Sequence, residues 1–330
     1  MTLKTLDENG NHWTYILAMP EAVISGALRE MESIIEGRSL QIRTARLIKL
    51  SAAVMQGVYE SEKFIIRNQG GPDFAFPWTM HDAMYSIAPA CLIIATSDSD
   101  NACQVMLECK GHVRPELASR DSIRHMGENP AFNFAHCPDD TTAAVRELNQ
   151  ILGTEQSIKL LTCAQASKSE LFGVDQIVDS QPVFSGREAV SFPFVANRIQ
   201  LRIIHLLATL AHHESETLKE LAITRGELIE QQRKLRSLHT TKERFVCAQN
   251  FKRKNIEFLI ETALRAGATS IRSALIEISM LYSVQEKHNI SAITALANQG
   301  LYISQLERLI IESQSYAMNN NSDLIKIGYK

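Results

Sequence analysis

The distribution of proline most constrains how this chain can fold. All nine prolines lie in the first 193 residues, and none follows Pro193. A proline removes a backbone N–H and clashes with the preceding helical turn, so a long proline-free segment favours uninterrupted helices over loops and edge strands. Leucine also recurs every seven residues within this segment, at Leu221, Leu228 and Leu235. We therefore predict an antiparallel helical bundle over residues 194–318.

The chain before residue 173 also shows helical periodicity. Apolar residues spaced three or four apart predict helices over residues 22–35 and 40–67. Residues 81–96 form a third apolar segment, which is either one helix or a helix followed by a short buried strand at CLIIAT. These patterns predict an N-terminal helical domain over residues 1–172.

A segment of different character joins the two parts. Residues 173–193 place short apolar runs on either side of a Ser-Gly turn, which is typical of a linker or a small β-hairpin. At the other end, residues 319–330 are polar and form a tail. The predicted fold class is therefore mainly α: an N-terminal helical domain, a connector and a C-terminal antiparallel helical bundle.

Particular residues predict where helices begin and which faces they bury. Asp139 or Asp140 precedes a helical pattern and is a residue type that accepts hydrogen bonds from free backbone N–H groups. Thr240 with Glu243 three residues later has the form of a capping box. In the bundle, Leu275 should lie in the core because it belongs to an apolar stripe.

Charge and motifs exclude several classes of protein. The net charge is −3 with a pI near 6.4, so no global basic field attracts a phosphate backbone. The phosphate-binding patterns GxxxxGK[ST] and GxGxxG do not occur, and neither do CxxC or HExxH. Cys103, Cys109 and His112 are the only local group of metal-ligand residue types. We predict no metal and no cofactor.

Scattered cysteines and the chain start indicate the compartment. The six cysteines form no dense framework, and the sequence opens without a charged segment followed by an apolar one. No apolar run reaches the roughly 20 residues that a membrane-spanning helix needs. These features predict a cytoplasmic protein with free thiols.

One short segment suggests chemistry. In SRDSIRHMGEN, Arg120 is followed by the polar Asp121 and, after four intervening residues, by His125. This spacing resembles the RNA-cleaving motif of the HEPN superfamily, whose Arg and His lie on one helix face. The resemblance implies an all-helical, metal-independent ribonuclease of the toxin or defence kind, in which His125 moves a proton and Arg120 holds the phosphate.

Two other groups of residues suggest binding sites. Basic side chains with phenylalanines between them could contact nucleic acid. These basic residues are Arg233, Lys234, Arg236, Lys242 and Arg244. A second group, near a Gly-Pro break, could line a small ligand pocket. Its residues are Phe74, Phe76, Trp78, His81 and Tyr85.

Three functional hypotheses follow. The first is a non-enzymatic assembly or interaction protein that self-associates through its C-terminal helices, because their apolar stripes are broad enough to pack on a second chain. The second is the HEPN-like ribonuclease, which would have RNA as a partner. The third is a helical sensor of a small ligand. The sequence favours a homo-oligomer that binds no membrane, and it favours a non-enzyme slightly over a ribonuclease.

Overall fold

The computed structural model describes residues 12–59, 78–98, 101–165, 174, 186–211, 214–282, 291–297, 301 and 303–320. The chain divides into two compact units. The first, here called the sheet unit, comprises Met1–Gly127 and Phe132–Arg187. The second, the helical unit, comprises Glu188–Lys330 together with the short segment Glu128–Ala131.

A four-stranded antiparallel sheet organises the sheet unit. The strands are β1 (Trp13–Ala18), β2 (Leu40–Ile48), β3 (Ala90–Ser97) and β4 (Ala135–His136). Their order across the sheet is β2-β3-β1-β4. Helices separate the strands, so the connectivity and strand order are those of the split βαβ, or ferredoxin-like, arrangement.

Helices accompany each crossover of this unit. They are α1 (Pro20–Ile24), α2 (Leu28–Glu36), α3 (Ala52–Val58), α4 (Trp78–Ile87), α5 (Ala102–Lys110), α6 (Thr141–Leu152) and α7 (Thr154–Gln165). Two 3-10 turns, Pro115–Leu117 and Ile123–Met126, lie between α5 and β4.

The two central strands, β1 and β3, are buried on both faces of the sheet. On one face, Tyr15 and Leu17 of β1 pack with Leu92 and Ile94 of β3. The alternate residues of the same strands, such as Ile16, are fully buried as well. Side chains of successive strand residues point to opposite faces, so burial on both sides removes the apolar-polar alternation from the sequence.

The prediction of a mainly α fold is wrong for this half. The helix predicted over residues 40–67 begins instead as strand β2 and becomes helical only at Ala52. For residues 81–96 the second alternative is correct, since α4 ends at Ile87 and strand β3 contains CLIIAT. Pro89 stands between these two elements, where a helix could not continue without losing a hydrogen bond.

Within the described residues, the helical unit consists mainly of helices, as the missing prolines predict, and the first three have 19, 22 and 25 residues. They are α8 (Phe192–Leu210), α9 (Ser215–Arg236), α10 (Thr241–Arg265), α11 (Thr269–Met280), α12 (Ser291–Ala297) and α13 (Gln305–Asn320). Leu221, Leu228, Leu235 and Leu275 are all buried. Among the described residues, no helix is long and apolar enough to cross a membrane.

Two helix starts predicted from the sequence are confirmed. Asp140 caps α6, because its side chain accepts from the backbone N–H of Ala143 at 2.7 Å. Thr240 and Glu243 form a reciprocal capping box at the start of α10. Both are local signals that depend only on residues three positions apart.

The predicted domain limits at residues 172, 193 and 318 stay predictions, and the division between the units falls at Arg187 and Glu188. For the connector, residues 175–185 lie outside the described residues, and Gly186–Ala189 forms a 3-10 turn. The polar tail from residue 321 onward is also outside them.

Candidate active site

A buried imidazole lies at the edge of the sheet. His136 ends the short strand β4, opposite Leu17 of β1, and is 3% exposed. Its Nε2 atom lies 2.9 Å from Oε2 of Glu147 on α6. The same carboxylate oxygen accepts a hydrogen bond from the Tyr15 hydroxyl on β1 at 2.6 Å. The sheet and the following helix thus bring together three residues from β1, β4 and α6.

The acid of this group is held in its ionised form. Burial of Glu147 opposes ionisation, but hydrogen bonds from His136 and Tyr15 outweigh it and lower the pKa of Glu147. Arg146 adds a third interaction, 3.0 Å from the other carboxylate oxygen. Conversely, burial and the adjacent Glu147 raise the pKa of the Tyr15 hydroxyl, which keeps it a donor.

These contacts assign the tautomer of His136. An ionised carboxylate only accepts hydrogen bonds, so Nε2 of His136 must carry the hydrogen that it donates to Glu147. In the neutral ring the other nitrogen, Nδ1, then has a free electron pair. Tyr59 packs edge-on against the imidazole with ring centroids 4.8 Å apart, which further fixes the ring plane. The arrangement therefore orients one ring nitrogen as a base or nucleophile.

Cationic side chains surround the backbone next to His136. Lys110 donates through Nζ to the carbonyl of Cys137 at 3.3 Å, and Arg124 donates through Nε to the carbonyl of Ala135 at 3.0 Å. Burial raises the pKa of the Cys137 thiol to about 11, and the charges of Lys110 and Arg124 partly offset this rise. The positive potential at this point suits an anionic ligand such as a phosphate group.

The sequence analysis did not identify His136, Glu147 or Tyr15. Only His136 and Glu147 are near each other in sequence, eleven residues apart, and Tyr15 lies 132 residues from Glu147. No short motif joins them. The Asp140 cap predicts only the start of α6, and the strand before it, which ends in His136, has two residues and no pattern of its own.

Arg120 and His125 do not share a helix face. Arg120 lies in a turn, and His125 lies in the 3-10 turn Ile123–Met126 rather than in an α-helix. The α-helical spacing that suggested one shared face does not apply at His125, because a 3-10 turn places residues three apart in line.

The basic residues proposed to contact nucleic acid are largely engaged within the protein. Arg233 pairs with Glu230, and Arg236 pairs with Glu188. Arg244 is buried and pairs with the buried side chain of Glu128 at 3.1 Å. These contacts give no support to a phosphate-binding row, and the roles of Lys234 and Lys242 stay predictions.

The proposed ligand pocket is only partly described. Phe74 and Phe76 lie outside the described residues, as does the side chain of Trp78. His81 and Tyr85 are buried on α4 with ring centroids 6.0 Å apart. His81 also packs edge-on against Phe132. Within the described residues this corner is filled by ring packing, and a pocket here stays a prediction.

Part of the sheet unit is similar to a known family. Residues 12–157 match the model of the family described as nucleoside diphosphate kinase. The match includes Tyr15, His136 and Glu147 but spans less than half of the 330 residues. No curated protein matches the chain significantly.

Solved structures similar to the chain include three of this kind. Nucleoside diphosphate kinase from Encephalitozoon cuniculi is 18% identical with a TM-score of 0.36, covering 43% of this chain and 89% of its own. A nucleoside diphosphate kinase family protein from Babesia bovis is 22% identical, TM-score 0.36, covering 44% and 90%. Nucleoside diphosphate kinase from Borrelia burgdorferi, with bound vanadate and ADP, is 18% identical, TM-score 0.35, covering 42% and 84%.

The family match overturns the resemblance to HEPN proteins. The segment from Arg120 to His125 falls inside the matched residues, and it is not the helix that the HEPN motif requires. The hypotheses of a ribonuclease, of a non-enzymatic assembly protein and of a helical sensor are wrong for the same reason, and so is the preference for a non-enzyme. Residues 12–157 are similar to a family of phosphotransferases, and the site around His136 lies within them.

Proposed function

We propose that the sheet unit transfers a phosphoryl group from a nucleoside triphosphate to a nucleoside diphosphate, with His136 as the residue that carries it. The observation on which the proposal rests is the hydrogen bond from Nε2 of His136 to Glu147, inside the matched residues. This hydrogen bond leaves the Nδ1 atom of the neutral ring with a free electron pair, and histidine is one of the side chains that form covalent intermediates.

The reaction consists of two displacements at phosphorus. In the first, the Nδ1 electron pair of His136 forms a bond to the γ-phosphorus, the bond to the bridging oxygen breaks, and the diphosphate leaves. In the second, a terminal oxygen of another nucleoside diphosphate attacks the same phosphorus, and the N–P bond breaks. Nε2 keeps its hydrogen throughout, so Glu147 stabilises the positive charge that develops on the ring.

The neighbouring groups support this assignment. Lys110 and Arg124 place positive charge beside residues 135–137, where the charge of a transferring phosphoryl group would lie. Tyr15 and Arg146 hold Glu147, which in turn holds the imidazole. A nucleophile whose partner is itself fixed by further hydrogen bonds is the arrangement expected of covalent catalysis.

The test is direct labelling of the protein. Incubated with magnesium ATP carrying ³²P in the γ position, the protein should acquire a label that is stable to alkali and labile to acid, as expected of a phosphoramidate. Addition of unlabelled GDP should move the label to GTP. His136→Asn should abolish both steps.

His125→Asn is the matched control, because this histidine lies in the same unit but outside the Glu147 group. It should label like the wild type. Retention of the label in His136→Asn, or no label in the wild type, would contradict the proposal.

Self-association and a cytoplasmic location, both expected from the sequence, are part of this proposal. Self-association is compatible with the family match and keeps its test by light scattering, in which a monomer at high micromolar concentration would exclude it. A cytoplasmic setting fits an enzyme that uses nucleoside triphosphates. An RNA partner has no support.

A further inference from the structure

The residue two positions before His136 has a backbone conformation that a side chain rarely tolerates. Phe134 has φ of +75° and is fully buried. For a bulky residue this left-handed region is an outlier, and it persists only where the surroundings hold it in place. The chain then enters β4, where Ala135 pairs with Ala18 and His136 with Leu17. The backbone conformation of Phe134 therefore determines the direction in which the chain enters β4, and with it the position of the His136 imidazole.

Two hydrogen bonds hold Phe134 in this conformation. The backbone N–H of Met19 donates to the Phe134 carbonyl at 2.9 Å. The N–H of Phe134 donates to Oε1 of Glu21 at 3.1 Å. The first bond uses backbone groups only, so the second is the one that depends on a particular side chain. Glu21 is thus the residue whose identity decides how Phe134 is held.

Glu21 is an unusual choice for a purely structural contact. It is 1% exposed, and its second oxygen, Oε2, is buried with no hydrogen-bond partner among the described residues. Burial raises the pKa of Glu21 to about 7, although the N–H groups of Glu21 and Phe134 oppose the rise. A neutral amide could accept from Phe134 without this penalty. The carboxyl group is therefore a titratable element within the sheet unit.

The groups around Glu21 are defined by the elements that pack against α1. These are α4 and β3. Helix α4 carries His81, Asp82 and Tyr85, and β3 carries Cys91. Burial is the main cause that raises the pKa of the Tyr85 hydroxyl, and the charge of Glu21 contributes a smaller part of the rise.

We propose that Glu21 is a positioning residue for His136: its carboxyl group holds the N–H of Phe134, fixes the left-handed backbone there and so sets the orientation of the imidazole. The proposal rests on the proposed function only for its catalytic consequence. Ionisation strengthens Glu21 as an acceptor, so the hold on Phe134 tightens as the pH rises through neutrality. Phosphorylation of His136 should become faster in the same direction.

Three variants separate positioning from general stability. Glu21→Ala removes the acceptor, Glu21→Gln keeps an acceptor that does not titrate, and Glu36→Ala changes an exposed acid on α2 as a matched control. Two readouts are used. One is the pH dependence of the Phe134 amide and His136 ring ¹⁵N signals in the full chain. The other is the rate of phosphohistidine formation at saturating and at low ATP.

We expect Glu21→Ala to shift both sets of signals and to slow phosphorylation at saturating ATP by about tenfold or more, with little change in the ATP concentration for half-maximal rate. Glu21→Gln should label within about threefold of the wild type at pH 7 and lose the inflection of the Phe134 amide near that pH. Glu36→Ala should behave like the wild type.

The outcomes also distinguish this proposal from the proposed function. Unshifted His136 ring signals in Glu21→Ala would overturn the positioning role, whether or not the protein labels. Shifted His136 ring signals in Glu21→Ala, together with a wild-type protein that never acquires label, would support the positioning role and contradict the proposed phosphoryl transfer. If Glu21→Ala does not fold, Glu21→Gln decides, because persistence of the Phe134 inflection in that variant would exclude Glu21 as its source.

Discussion

Two buried glutamates, Glu307 of the helical unit and Glu21 of the sheet unit, have opposite electrostatic surroundings. In the helical unit, Glu307 is 4% exposed and contacts two arginines, Arg198 at 3.1 Å and Arg202 at 2.8 Å. Burial opposes its ionisation, but these arginines and Ser304 lower the pKa of Glu307 to about 2. In the sheet unit, Glu21 is 1% exposed, its hydrogen-bond donors among the described residues are backbone N–H groups, and burial raises the pKa of Glu21 to about 7. Pairing with cations keeps a buried acid ionised, whereas a buried acid whose pKa lies near neutrality is found more often at functional sites.

The largest expected effect is on the chemistry of the sheet unit. Glu147→Gln removes the charge that stabilises the imidazole while keeping nearly the same volume, so phosphohistidine formation should fall about 100-fold. The rate of labelling from γ-³²P ATP measures this effect.

Glu155→Gln, at the start of α7, changes an exposed acid and serves as the control. A Glu147→Gln protein that labels at the wild-type rate would show that the charge of Glu147 plays no part in the chemistry at His136.

The next effect is on the stability of the helical unit. Glu307→Gln leaves Arg198 and Arg202 without their shared carboxylate, and it should lower the free energy of unfolding by about 2 to 4 kcal/mol at pH 7. The folded-state pKa is depressed, so this contribution is present above pH 4.5 and is lost as the pH falls toward 2. Urea denaturation at pH 7 and pH 3 measures both values.

Glu312→Gln, whose acid pairs at the surface with Arg308, is the control and should change stability by less than about 1 kcal/mol. Loss of His136 phosphorylation in folded Glu307→Gln protein would show that the charge of Glu307 is needed for the chemistry and not only for stability.

The smallest effect has the opposite sign. Glu21→Gln should stabilise the protein at pH 8 by about 2 to 3 kcal/mol, because the buried acid no longer has to ionise. The folded-state pKa is raised, so the contribution of Glu21 to stability is fully present below about pH 4.5 and is lost as the pH rises through 7.

At pH 4 the two proteins should therefore have nearly equal stability. Thermal or urea unfolding across this range provides the measurement. Equal stability at pH 8 would mean that water or relaxation solvates Glu21 and that its burial is not costly.

The sequence predicted the helical unit much better than the sheet unit. In the helical unit, the helix start at Thr240 and the burial of Leu275 follow from residues within one or two turns, as does the helix start at Asp140 in the sheet unit. Strand β1, WTYILA, is buried at every position, so its sequence shows an apolar run without the alternation that marks a strand. Periodicity alone does not separate such a run from a buried helical segment.

The site could not be predicted because its parts meet only through the sheet. Tyr15 reaches Glu147 across 132 residues, through the pairing of β1 with β4 and the packing of α6. A search for closely spaced ligands or motifs therefore finds Arg120 with His125 and passes over His136. Strand order is a property of the whole unit, and no local pattern in this chain encodes it.

The segment Glu128–Ala131 gives the chain an unexpected connectivity. Glu128 pairs with Arg244, and Asn129 donates to the Ser313 hydroxyl at 3.1 Å, so these four residues belong to the helical unit although both flanks belong to the sheet unit. The backbone therefore passes from one unit to the other three times, at residues 127–128, 131–132 and 187–188. A single cut after residue 187 would not separate the two units, because it would remove Arg244 and Ser313, which contact Glu128 and Asn129, from the fragment that holds these two residues. Neither unit therefore corresponds to one continuous stretch of the sequence.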